Sequence, residues 1–185
     1  RITALSVVAN MFLEFKMLDV QFSVTLVISA LAGIILGPVC GFAACFIGDT
    51  IGFLYNSWGM IYMPWVGLST GMTAFFAGLV FNAAKWKFRG AMYVKLALVC
   101  MLSFFVCSIG INSTGLYFYQ KGMGFTAAAV DYVSEKFGTG VTYFGYVFYR
   151  MIFRGQIWNC VVNYALLFAL VPLVNKIKPL KINIS

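Results

Sequence analysis

Apolar stretches long enough to cross a bilayer follow one another along this chain with few polar residues between them. "FSVTLVISALAGIIL" (22–36) runs into "PVCGFAACFIGDTIGFLY" (38–55) through a single glycine, Gly37. "PWVGLSTGMTAFFAGLVFNAA" (64–84) and "AMYVKLALVCMLSFFVCSIGIN" (91–112) follow after short breaks. A spanning helix needs about 20 mostly apolar residues. Charged residues make up 10% of the chain, against about 25% in soluble domains, so there is too little polar surface for a water-facing body. The chain reads as an all-α integral membrane protein, six transmembrane helices in one compact bundle, forming a single domain over residues 1–185. The spans are expected at about 2–13, 22–36, 38–55, 64–84, 91–112 and 150–174. Residues 113–140 are expected to form an outer loop with room for a short helix in "FTAAAVDYVSEKF".

The net charge of +8 raises nucleic acid as a partner, but its placement argues against that. Lys85, Lys87 and Arg89 share one short break, and Lys176, Lys178 and Lys181 share the tail. Positive residues in those places mark cytoplasmic connections, which puts both termini inside and the connections 14–21, 55–63 and 113–140 outside. The chain opens on Arg1 within an apolar run, as expected of a trimmed N-terminus, and no signal peptide is read. Five cysteines lie in apolar runs with no CxxC pair, and there is no histidine. Metal ligation, disulfides, triad chemistry and any other catalytic role are therefore not expected, nor is a cofactor.

Asp49 lies inside the third apolar run, where inserting a carboxylate costs about 2.5–3.5 kcal/mol on insertion scales. An acid kept there is a functional candidate or one half of a structural ion pair. Arg150 and Arg154 are four residues apart, so on an α-helix they share a face near the outer end of the sixth span. They serve a ligand, pair with Asp49, or snorkel to the headgroups. Asn159 and Asn163 repeat that spacing deeper; Asn159 is a candidate contact, although such pairs also bind helices together. Thr73, with Ser69 and Thr70, adds hydroxyls from the fourth span. Trp58, Tyr62 and Trp65 form an interfacial belt or a lid that stacks on a planar ligand. Polar groups from three spans are thus expected to converge on a pocket open to the outside.

With these residues in view, the chain resembles the substrate-binding S components of energy-coupling factor vitamin transporters. The likeness rests on "SALAGIILGPVCGFAACFIGDTIGFL" (29–54), a small-residue helix, a Gly-Pro break and a Gly/Ala-rich helix with a Gly-Asp pair. It continues in "MPWVGLSTGMTAFFAGLVF" (63–81) and covers nearly the whole chain. Within the family it is most similar to the folate-specific members, which carry an arginine early in the last helix, as Arg150 stands in "FGTGVTYFGYVFYRMIFRGQIWN" (137–159). It departs from them at Asn159–Asn163, where those members usually show a proline, and in lacking a clean AxxxA patch on the first span, where Ala4 is followed by Val8 and Ala9.

The resemblance implies a high-affinity vitamin-binding subunit in a bacterial cell membrane, with no enzymatic activity of its own. It would work with a transmembrane coupling subunit and two ATP-binding cassette ATPases, since the chain has no GxxxxGK[ST] sequence. Asp49 would hold the amino-amide edge of a pterin, Arg150 or Arg154 the glutamate carboxylates, and Trp58, Tyr62 or Trp65 would stack on the ring. Riboflavin, pantothenate, a pyridoxine-type vitamin or a cobalamin-related compound stand as alternative ligands, and a non-transport assembly protein as an alternative role. Ala30, Gly33, Gly37, Gly41 and Ala44 either dock on the coupling subunit or pack within the bundle.

Overall fold

The computed structural model describes residues 14–17, 20–55, 62–83, 86 and 90–175. The first expected span, Trp58, the basic residues Lys85, Lys87 and Arg89, and the lysine tail lie outside the described residues. Where a polar break was expected, strand β1 (Glu14–Met17) pairs antiparallel with β2 (Val20–Ser23), Met17 opposite Val20. Two residues separate the strands, the length of the tightest hairpin connection. That ladder takes Phe22 and Ser23 out of the expected second span, and helix α1 (Thr25–Leu36) starts three residues later than residue 22.

Gly37 ends α1 with φ +84° and donates its N–H to Gly33 O at 2.9 Å. A side chain is strained in that conformation, so glycine makes the turn. Pro38 then opens α2 (Pro38–Tyr55) and Pro64 opens α3 (Pro64–Ala83), each with its fixed φ suited to a first turn. Helix α4 (Ala91–Met123) has 33 residues, about 50 Å at 1.5 Å per residue. It therefore outruns the hydrocarbon layer and absorbs the first part of the expected 113–140 loop. Much of the remainder is helical too, as α5 (Ala127–Phe137). The last expected span is two helices, α6 (Tyr143–Phe148, extended in π geometry through Phe153) and α7 (Gln156–Asn175). Gly155, at φ +65°, turns the chain between them, and the final long helix begins at Gln156 instead of residue 150.

Apart from the hairpin, these elements are all helical, and α3, α4 and Gln156–Val174 of α7 are long and apolar enough to cross a membrane. Helices α1 and α2 are shorter apolar helices. The main core lies among α1, α3, α4 and α7, with Val27, Ile34, Phe81, Leu96, Val99, Leu167 and Val171 buried together. Lys95 is buried beside it, its ammonium 5.7 Å from the centre of the Phe81 ring. A second core forms where α5 and α6 fold over the end of α4: Ala129, Val133, Tyr146 and Tyr149, flanked by Leu116, Tyr117 and Phe125.

Small residues hold α1, α2 and α3 together. A methyl group on Gly33 would overlap the Ala74 carbonyl of α3. One on Gly41 would stand 2.7 Å from Gly33 Cα, and one on Gly78 2.7 Å from Gly33 O. Gly33, Gly41, Ala30 and Ala44 are all buried, so these four small residues pack within the bundle, while Gly37 is half-buried. Close backbone approach of this kind is how helices associate in lipid. Gly33→Ala should lower the thermal unfolding midpoint in detergent sharply, since overpacking costs about 1–3 kcal/mol and the clash here is with backbone. Gly122→Ala meets open space and should leave the midpoint unchanged or raise it; equal effects of the two would refute this packing.

Candidate functional site

The middle of α4 departs from α-helical geometry over Ser103–Ser113, where the turns are π-helical. Ser103, Ser108 and Ser113 recur at five-residue spacing, and all three are buried. An i→i+5 turn brings residues five apart close to one another, and Ser113 Oγ duly donates to Ser108 O at 2.8 Å. The stretch also serves its neighbours. Ser69 Oγ of α3 donates to Cys107 O at 3.0 Å, and Thr73 Oγ1 lies 3.4 Å from Ser103 Oγ. Ser108 Oγ lies 3.7 Å from Cys160 Sγ of α7, and Arg150 Nη1 of α6 donates to Ser113 Oγ at 3.0 Å.

Arg150 is half-buried, and its partner is a neutral hydroxyl. Among the described residues no carboxylate is in ion-pair contact with it; the pair that does form joins Lys136 and Glu135 at 3.8 Å. Arg154 behaves differently. Residues Tyr149–Phe153 are π-helical, Arg154 N donates to Tyr149 O at 3.0 Å, and the side chain of Arg154 is exposed. The two arginines expected to act together thus differ in setting: Arg150 is half-buried against Ser113, and Arg154, at the end of the widened turn, is exposed.

Asp49 stands on α2 against Gly67 of α3. A methyl group on Gly67 would come 2.9 Å from Asp49 Oδ2 and 3.2 Å from the Tyr62 hydroxyl, so glycine makes room for the carboxylate. Tyr62 also pairs with Thr50 Oγ1 at 2.7 Å, and its ring centre lies 5.1 Å from that of Phe53. Trp65 is on the other flank of α3. Its ring sits where a Gly115 side chain would be, 5.8 Å from the Tyr119 ring. The polar groups of α3 thus divide between an α2 side, with Asp49 and Tyr62, and an α4 side, with Trp65. Arg150 belongs with the second.

The two remaining predicted contacts are engaged in packing. Thr73 is buried and donates to Ser69 O one turn back at 3.0 Å. Asn159 accepts from Asn163 Nδ2, at 2.8 Å through its carbonyl and 3.1 Å through its side chain. Asn163 Oδ1 in turn accepts from Val27 N at 3.3 Å. Val27 is in the first turn of α1, whose N-cap Val24 offers no side-chain acceptor, and first-turn N–H groups have no intrahelical partner. The asparagines therefore cap one helix from another. Sequence reasoning missed Ser113, Asn112 and Gln120; the signal was present as polar residues at four- and five-residue spacing along an apolar helix.

A family model described as "ECF-type riboflavin transporter, S component" matches residues 2–143. No curated protein matches the chain. The match spans well over half of the chain, and the protein belongs to this S-component family: it is a membrane-embedded transporter component and not an enzyme.

Replacing Asn163 with leucine removes the acceptor for Val27 N–H. The expected loss is about 1–3 kcal/mol of stability, the cost of an unsatisfied buried donor, read as a lower unfolding midpoint in detergent. An unchanged midpoint would show that this cross-helix cap contributes nothing.

Proposed function

We propose that this S component captures a carboxylate-bearing vitamin with a flat ring system, folate foremost, at the Pro64 end of the bundle. The observation that carries the reading is Arg150: a half-buried guanidinium, hydrogen-bonded to a serine and without a carboxylate partner among the described residues. A cation in such a place is strongly favoured by an anion brought to it, and the planar guanidinium matches a carboxylate in two parallel hydrogen bonds. Folate supplies such carboxylates in its glutamate tail. Asp49 serves as the acceptor for the amino-amide edge of the pterin, and Tyr62 and Trp65 as its aromatic neighbours, with the ligand lying across the first turns of α3. Arg154 and Trp58 are proposed as further contacts at the rim. Thr73 and Asn159 are proposed to support the site through the packing described above.

In this reading the protein sits in a bacterial cell membrane with six spans, both termini cytoplasmic, and the site facing outward. Vitamin release to the inside follows docking on a transmembrane coupling subunit driven by two ATP-binding cassette ATPases. Family membership supports the transporter role, and the sequence resemblance to folate-specific members supports the ligand. Riboflavin is the second reading, favoured by the description of the matching family. Riboflavin carries no carboxylate, so it gives Arg150 no anion to hold.

Calorimetric titration of the detergent-solubilised protein separates the two. Folate should bind the wild type, and Arg150→Ala should weaken it at least about tenfold, or 1.4 kcal/mol, with Arg150→Lys intermediate. Asp49→Asn should weaken it as well. If both substitutions leave folate affinity unchanged, or if riboflavin binds and folate does not, the folate reading is wrong.

A further inference from the structure

Five buried side-chain atoms have no hydrogen-bond partner among the described residues: Lys95 Nζ, the Tyr164 hydroxyl, and a group of three, Trp65 Nε1, Asn112 Oδ1 and Gln120 Oε1. The three meet along one length of α4, Trp65 reaching it from α3. Asn112, Leu116 and Gln120 follow at four-residue spacing and form one stripe. On one flank of that stripe Gly115 and Tyr119 carry the Trp65 ring. On the other flank Ser113 receives the bond from Arg150, and Tyr117 packs on Tyr143 and Tyr146 with ring centres 5.4 and 5.8 Å away. The unpaired groups therefore occupy the strip between Trp65 and Arg150.

Buried polar groups are satisfied in nearly all cases, and those that are not need a physical reason. Lipid offers them no partner, and leucine or phenylalanine at these positions would avoid the loss altogether. We infer that Trp65 Nε1, Asn112 and Gln120 form a neutral hydrogen-bonding subsite that reads the uncharged polar edge of the vitamin. The indole N–H donates to a ring or carbonyl acceptor on the ligand. The two amide oxygens accept from its N–H or O–H groups, and either amide can turn to present its NH₂ instead. Charge recognition is left to Arg150. This division makes the subsite selective, because a ligand lacking the matching edge leaves the protein groups unpaired in the complex.

The inference rests on the vitamin-binding reading above, and one set of variants tells the two apart. Asn112→Leu, Gln120→Leu and Trp65→Phe are titrated in detergent with folate and with riboflavin, and their unfolding midpoints are measured without vitamin. Each leucine variant should keep or raise the midpoint, by about 2–4 °C where a full unpaired group is removed, and should bind the vitamin at least tenfold more weakly than the wild type. Trp65→Phe keeps the aromatic packing on Gly115 while removing the N–H, and it should also lose affinity. Loss of affinity together with a lowered midpoint in all three would overturn the subsite, since the groups would then hold the fold. Wild-type affinity in all three would overturn it too, leaving vitamin binding through Arg150 intact. A wild type that binds neither vitamin overturns both readings.

Discussion

A membrane-embedded helix that carries hydroxyls has to find partners for them without water, and the π-helical stretch of α4 is where this protein meets that constraint. The widened turns lay Ser103, Ser108 and Ser113 along a single buried seam. Through that seam and the Cys107 carbonyl, α4 is joined to α3, α6 and α7. Each contact is modest alone, since interhelical hydrogen bonds in lipid contribute on the order of 1 kcal/mol. Their value is positional: they fix which face of α4 meets which helix. The polar stripe beyond Ser113 inherits its orientation from them.

The other half of the bundle is organised by absence of side chain. Gly33, Gly41 and Gly78 let the α1, α2 and α3 backbones approach to distances that a methyl group would forbid, and dispersion contacts replace hydrogen bonds as the source of cohesion. Helix α3 belongs to both halves. Its α2 flank is glycine-lined and faces Asp49; its α4 flank carries Ser69, Thr73 and Trp65. Anything seated over the first turns of α3 is within reach of both chemistries.

Apolar run length and the Gly-Pro punctuation made the helical membrane fold legible from residues alone, and Gly37–Pro38 and Pro64 fall at the helix boundaries they predicted. The hairpin was missed because residues 14–21, with Glu14, Lys16 and Asp19, were read as a polar connection, and strand pairing over four residues leaves little periodic trace. The length of α4 was missed because its polar end was taken for a loop, when amphipathic helix continues readily past a membrane surface. At the site, the residue types were legible and their grouping was not. Asp49, Trp65 and Arg150 were expected to converge, but Asp49 and Trp65 stand on opposite flanks of α3. The four-residue spacing of Arg150 and Arg154 suggested a shared role, but Arg150 is half-buried against Ser113 while Arg154 is exposed. No propensity announces a π turn; the five-residue serine spacing was its one trace.

Both ends of the Ser113–Arg150 hydrogen bond lie in π-helical turns, one closing the widened stretch of α4 and the other opening that of α6. A π turn exchanges the tight i→i+4 ladder for a wider one with a looser interior, and such turns collect at functional sites for that reason. Here the guanidinium stands against a helix whose neighbouring stripe carries two amide oxygens with no partner among the described residues. Of the two arginines on this stretch, Arg150 is half-buried against Ser113 and Arg154 is at the surface. A half-buried guanidinium whose hydrogen-bond partner is a neutral hydroxyl is an arrangement that an incoming anion stabilises.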